Sequence, residues 1–267
     1  MKQYIELGER IVNEGKWINI SGTERLTIFG AQMEFDLQEG FPILTTKKVW
    51  WRGIVEELLW FLNGSTNVKD LQDVDVHIWD ANAKEDGTIG DAYGRQWRNW
   101  NGEGYDQIQN CIEMLEKRPK STRNVVMAWN PIKVDSMSLP PCHFSFQCLS
   151  DGKNLTLCFT MRSTDHCVGL PYNIASYALL THILAQRTGQ VASRLVIQLS
   201  HLHIYKQHME AWQEQSERDY SYYELPRLMI MEPLTDDLKN MKSKHFVLDG
   251  YESFPAIKYE MVVAWNQ

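Results

Sequence analysis

Residues 174–205 read IASYALLTHILAQRTGQVASRLVIQLSHLHIY. The first part, Ile174 to Gln186, is apolar on nearly every side and predicts a largely buried helix, preceded by Asn173 and ended near Gly189. In the second part Leu195, Ile197 and Leu199 alternate with Val196, Gln198 and Ser200, the period of a strand. If that strand runs on, His201, His203 and Tyr205 share one face, because side chains two apart point the same way. Further out, Trp51 to Leu62 has apolar residues at helical spacing, with Asn63-Gly64 as a stop signal. Leu26 to Phe35, Val125 to Asn130, His143 to Leu149 and Leu155 to Thr160 read as strands by their β-branched and aromatic content. Helices scattered among strands, without regular βαβ alternation, predict an α+β fold.

The chain has 267 residues, with no repeat at solenoid periods and no linker-like stretch, so a single domain over 1–267 is expected. The segments that read as loops are short: Asn99 to Tyr105, Lys117 to Thr122, and Thr235 to Lys244. Lys and Arg number 27 against 34 Asp and Glu, a net charge of −7, which argues against a protein built to grip nucleic-acid phosphates. An anionic ligand must be met by a few placed basic groups. Apolar runs fall short of the roughly 18 residues a membrane span needs. Met1-Lys2-Gln3-Tyr4 opens no signal-like region, and a cytoplasmic chain is expected. Five cysteines (Cys111, Cys142, Cys148, Cys158 and Cys167) form no Cys-x-x-Cys pair, a poor disulfide framework and a poor zinc site. Reduced thiols, mostly buried, with one reactive at most, is the expected picture.

Some residues could carry chemistry. In Leu139-Pro140-Pro141-Cys142-His143, the prolines stiffen the approach to a strand and place Cys142 at a corner. A thiol beside a cation is the most capable nucleophile at neutral pH, while a lone cysteine is otherwise ordinary core. His143 adds little if neighbours on a strand face opposite ways. Arg162-Ser163-x-Asp165 sets a guanidinium and a hydroxyl side by side, suited to an oxyanion. Gly169 and Pro171 imply an irregular loop before Asn173. Asn173 reads first as a helix N-cap, with base-edge reading by its carboxamide as the functional alternative. His201-x-His203 could share a metal, but no acidic or Cys partner has convincing spacing, so no metal is expected. Glu57, inside an apolar helix, is either solvated or a buried carboxyl of raised pKa.

Taken in order, these and other blocks resemble the thymidylate synthase family, including its pyrimidine hydroxymethylase branch. The blocks are Ile28-Phe29-Gly30, Phe41 to Lys48 (FPILTTKK), Glu57 to Gly64 (ELLWFLNG), His77-Ile78-Trp79-Asp80, Tyr93 to Arg98 (YGRQWR), Ala128-Trp129-Asn130, Pro141-Cys142-His143, Arg162-Ser163-x-Asp165 and Gly169 to Tyr177 (GLPYNIASY). The resemblance implies a twisted mixed β-sheet with flanking helices, paired sheet to sheet in a homodimer. It also implies one-carbon transfer from 5,10-methylenetetrahydrofolate to C5 of dUMP. In that scheme Cys142 adds to C6 of the ring, and Glu57 and Tyr93 manage protons through water. Arg162, Ser163 and Arg123 hold the phosphate, with Arg123 crossing the dimer interface. Asn173 reads uracil O4 and N3, and His203 and Tyr205 hold the 3′-hydroxyl. Lys47, Trp79 and Asp165 contact the folate, with Asn82 and Gly169 beside them. The implied partners are thus the nucleotide, the folate and a second copy of the chain, with no membrane and no stable nucleic-acid partner.

Departures from the family pattern bear on the product. Synthases resembling this chain carry a second tryptophan at the place of Asn82, an indole that covers the exocyclic methylene of the intermediate. A carboxamide there can orient water. The family's C-terminus matches Val262-Val263, and here Ala264 to Gln267 follow. Met161 and the run His201-Leu202-His203 also resemble the phage hydroxymethylases. The leading expectation is therefore a dUMP 5-hydroxymethylase, with thymidylate synthase as the alternative and a catalytically silent nucleotide-binding homologue as the third. Asn173, where deoxycytidylate enzymes are expected to carry Asp, fits uracil. Two phosphate arginines of the family fall at Ile20 and Thr122, with Arg25 the candidate replacement for one.

Overall fold

The computed structural model describes residues 1–231 and 238–262. In chain order the elements begin with α1 (Lys2–Glu14), β1 (Lys16–Ile20), β2 (Thr23–Asp36), α2 (Trp51–Leu62) and α3 (Lys69–Gln72). Then follow α4 (Gly94–Arg98), α5 (Gln107–Lys117), β3 (Val125–Met127), β4 (His143–Ser150), β5 (Asn154–Met161) and β6 (Thr164–Asp165). The series closes with α6 (Gly169–Arg187), β7 (Val191–Tyr205), α7 (Met209–Ser216), β8 (Arg227–Ile230) and β9 (Phe246–Asp249). The main sheet runs β1-β2-β7-β5-β4-β3, with β6 added beside β7. β5 and β6 run parallel to β7 and the remaining pairs are antiparallel, so the sheet is mixed. The parallel pair needs a crossover, and α6 supplies it.

The core lies between α6 and the sheet. Leu155, Leu157, Phe159 and Met161 alternate inward on β5, and Leu195, Ile197 and Leu199 do the same on β7. Phe159 stacks on Tyr177 of α6 with ring centroids 3.9 Å apart. At the far end of β7 the alternation stops. Leu202, His203, Ile204 and Tyr205 are all buried, so both faces of the strand are covered there, and β6 pairs along its edge. Polar side chains are enclosed at that end, and the site forms there.

Helix α2 begins and ends as its periodicity predicts. Gly64 stands at φ +71°, and its N–H donates to the Phe61 carbonyl, closing the helix as the Asn63-Gly64 signal requires. α6 differs from expectation: it starts at Gly169, five positions before Ile174, so Asn173 lies inside the helix and is not its N-cap. Gly169 and Pro171 belong to its first turn rather than to an irregular loop. Proline is tolerated there because its missing N–H falls among groups that have no helical partner anyway. Asp165 Oδ1 accepts from the N–H groups of Cys167 and Val168, anchoring the start from outside. The expected strand at Val125 ends at Met127, since Asn130 turns inward to donate to Gln96 Oε1. Lys117 is the last residue of α5 rather than the first of a loop.

Among the described residues no helix is long and apolar enough to cross a membrane. The five cysteines are free thiols, with Cys111, Cys148 and Cys167 buried and Cys142 and Cys158 half-buried. The tail positions 263–267, on which one expectation rested, lie outside the described residues.

Candidate active site

Cys142 lies just before β4, at the proline corner. Its N–H donates to the Tyr93 hydroxyl at 2.9 Å. Tyr93 reaches it from a left-handed conformation, φ 40°, which a bulky side chain adopts only when held there. Gly94 shows what holds it. A Cβ at 94 would stand 2.4 Å from the Phe61 carbonyl oxygen, so only glycine lets α4 come this close to α2. Phe61 then stacks on the Tyr93 ring, centroids 4.9 Å apart.

Arg162 closes the corner from the other side. Its Nε donates to the Pro141 carbonyl at 3.0 Å and Nη2 to that of Pro140 at 2.7 Å, while its own backbone N–H donates to the Cys142 carbonyl. The fork thus spends part of its donor set bracing the corner and keeps the rest for a ligand. Burial pushes the Cys142 thiol above its ordinary pKa, and the Arg162 charge and the Tyr93 hydroxyl pull it back. Ser163 follows, half-buried, between Arg162 and β6.

Glu57 and Trp79 pair on the opposite wall. Trp79 Nε1 donates to Glu57 Oε1 at 2.8 Å. Burial raises the carboxyl from an ordinary 4.5 to about 7, against the pull of that hydrogen bond. Trp79 meets Tyr93 edge to face at 5.7 Å, so the carboxyl, the indole, the phenol and the thiol are contiguous. Asn82, half-buried, closes the same short turn, its N–H donating to the Trp79 carbonyl at 2.9 Å.

Asp165, Gly169 and Asn173 form a third group. A Cβ at 169 would lie in ordinary contact, 3.9 Å from both Asn173 Oδ1 and Asp165 Cβ, so the three residues adjoin. Asp165 pairs in register with His203, and its carboxyl is raised by burial, opposed by His208 and by Lys47. Lys47 Nζ donates to the Cys167 carbonyl at 2.6 Å and lies 4.2 Å over the Tyr259 ring; burial lowers it to about 8. Tyr205 is pushed up to about 12, chiefly by burial, with Arg25 opposing and Asp165 and Cys142 adding. His203 and His201 approach Nδ1 to Nδ1 at 3.3 Å. Arg123 alone stands apart, exposed in the turn before β3, its guanidinium without a partner among the described residues.

His143 corrects the strand-alternation argument. Its ring lies 4.5 Å from that of Tyr93, and a ring nitrogen pairs with the Tyr177 hydroxyl at 2.9 Å. Cys142 precedes the strand, so alternation does not separate the two residues, and a bulge follows between His143 and Ser145. Burial drives His143 down to about 3, so the ring is a neutral spacer behind Tyr93.

One set of metal-type donors, Asp165, Cys167 and His208, has ligand atoms within 4.8 Å of one another among the described residues. Lys47 presses its ammonium on the same thiol and carboxylate, and a cation already there opposes a second. Asp165 spends Oδ1 on backbone N–H groups, while Oδ2 accepts no hydrogen bond among the described residues and suits a ring N–H.

A mixed sheet with flanking helices thus carries a cysteine corner contiguous with a buried carboxyl through Tyr93 and Trp79. The family model for thymidylate synthase matches residues 2–263, and the chain belongs to that family. Membership makes it a one-carbon transferase on a pyrimidine nucleotide, dUMP, with methylenetetrahydrofolate as the family's cosubstrate.

Proposed function

We propose that the chain is a dUMP 5-hydroxymethylase acting as a single domain, and that its nucleophile is Cys142. The observation that carries the nucleophile is the corner itself, where the Tyr93 hydroxyl and the Arg162 fork converge on one half-buried cysteine. Sγ adds to C6 of the uracil ring and the displaced electron pair makes C5 nucleophilic, which divides a difficult substitution into easier steps. When bound, the folate supplies a carbon at the methylene oxidation level; Lys47, Trp79 and Asp165 would hold it, with Gly169 and Asn82 beside them. Glu57, held at about 7, exchanges a proton near neutral pH, and Tyr93 lies between it and the thiol to relay the C5 proton. Asn173 meets the O4–N3 edge. His203 and Tyr205 take the sugar hydroxyl, and Arg162 and Ser163 take the phosphate.

Product choice rests on Asn82. Its N–H donates to the Trp79 carbonyl, so the turn that carries Trp79 offers a carboxamide rather than a second indole. A group that can orient water favours addition of hydroxide to the exocyclic methylene, with expulsion of the Cys142 thiolate, over hydride transfer. The alternative reading, thymidylate synthase, shares every other residue and differs at this step. A homodimer has support in the exposed aromatic that the sheet carries, Phe29, 68% exposed beside the His201 ring, and in Arg123, unpartnered among the described residues.

The test is a product assay with dUMP and methylenetetrahydrofolate, following dihydrofolate absorbance and the nucleotide mass together. Hydroxymethyl nucleotide without dihydrofolate is expected. Methyl product in step with dihydrofolate would establish the synthase instead, and no product would overturn both.

A further inference from the structure

Arg25 sits on β2 directly across from Tyr205 of β7, its guanidinium carbon 5.1 Å over the Tyr205 ring. It is only 6% exposed, and Nε is buried with no acceptor. Among the described residues no carboxylate pairs with it. A buried guanidinium without a counter-charge is costly, and its usual resolution is an anion. Its surroundings are built the same way. Thr27, buried, and Phe29, exposed, the next two positions on that face of β2, pair with His203 and His201. His203 is 1% exposed, and Nε2 of both imidazoles is buried without a partner. Burial first and the Arg25 charge second lower both histidines, a sign that the local potential is positive.

We propose that Arg25, flanked by His201 and His203, binds a phosphoryl group carried on the sugar of the nucleotide. The inference rests on the reading of the chain as a dUMP enzyme and adds a residue to it. It also answers a charge deficit. Ile20 closes β1 and Thr122 offers only its backbone carbonyl, to Gln147, so neither supplies the guanidinium the resemblance places there. Arg25 brings a planar fork from the neighbouring strand, matched to two phosphoryl oxygens at once.

The test uses Arg25→Met, which keeps the apolar bulk over Tyr205 and removes the charge, and Arg25→Lys, which keeps the charge without the fork. Calorimetric titration would compare dUMP, deoxyuridine 3′-monophosphate and deoxyuridine, with thermal unfolding of the unliganded proteins alongside. Arg25→Met is expected to lose about tenfold or more in affinity for the phosphorylated ligand while deoxyuridine binding stays within about twofold. The unliganded melting temperature should hold or rise, because an unpaired buried charge has gone. Arg25→Lys should recover part of the affinity. The phosphate whose binding suffers, 5′ or 3′, tells which sugar oxygen the pocket serves. Equal losses for nucleotide and nucleoside, or none for either phosphate, would overturn the proposal and leave Arg25 a strut for Tyr205. Wild-type protein that neither binds nor converts dUMP would instead remove the functional reading on which the inference stands.

Discussion

Replacing Glu57 with Gln separates the proton chemistry of the site from its packing. Gln keeps an oxygen to accept from Trp79 Nε1 and cannot ionise. In the folded protein burial holds the Glu57 carboxyl at about 7, while an unfolded chain releases that proton near 4.5. Between those values the folded state keeps a proton the unfolded state has lost, so stability falls as pH rises through the window and levels off above about 7. At about 1.4 kcal/mol for each tenfold change, the full window is worth about 3 kcal/mol. The variant carries none of that penalty. Urea denaturation is therefore expected to find Glu57→Gln about 3 kcal/mol more stable than wild type at pH 8 and nearly equal to it close to pH 4. Turnover should fall by roughly 10²–10⁴-fold if Glu57 moves the proton. Parallel pH–stability curves for the two proteins, or a variant less stable at pH 8, would refute the argument.

Cys142→Ser is expected to abolish turnover with its urea midpoint little changed; wild type, but not the variant, should give a covalent complex with a fluorinated dUMP analogue and the folate, read by intact mass. Gly94→Ala places a methyl group against the Phe61 backbone and should cost about 1–3 kcal/mol in denaturant unfolding, with activity lost beyond what the stability change explains because Tyr93 is displaced. Asn82→Trp should shift the product toward the methyl nucleotide, seen by mass spectrometry, and an unchanged product ratio would remove Asn82 from the branch point.

Local signals and legibility run together in this chain. The helix Trp51–Leu62 was readable to the residue because its apolar period, its Asn63-Gly64 stop and its tertiary role agree. α6 was readable in kind but not at its start, because Gly-Leu-Pro at 169–171 looks like a loop until Asp165 is seen capping it from a strand that only tertiary pairing creates. The strand through His201, His203 and Tyr205 was readable from alternation, since period two survives even where both faces become buried. What no local pattern could give was the convergence at the corner. Tyr93 takes a conformation its own residue type disfavours, and the reason lies in Phe61, more than thirty positions earlier. His143 was misjudged because the alternation rule was applied across a residue outside the strand. Arg25 carried one legible clue, a lone arginine near a family position that lacks its own. Its burial without a counter-charge needed the structure.

Under the proposed function, the crossover from β5 through β6 and α6 to β7 explains how a durable site can have an adjustable product. That single stretch carries Arg162, Asp165, Asn173 and His203, each fixed by pairing in the sheet or by the helix packed on it. Cys142 is tied to the same frame by the Arg162 N–H and by β4 pairing with β5. The residues proposed to activate the ring therefore stand on rigid elements, and a substitution among them risks the core. Asn82 lies elsewhere, in a short turn that joins the sheet through no strand. On the proposed reading, its replacement changes the surface that meets the reactive methylene and leaves the sheet untouched. On that reading, exchanging an indole for a carboxamide exchanges hydride for water without altering the machinery that makes the intermediate.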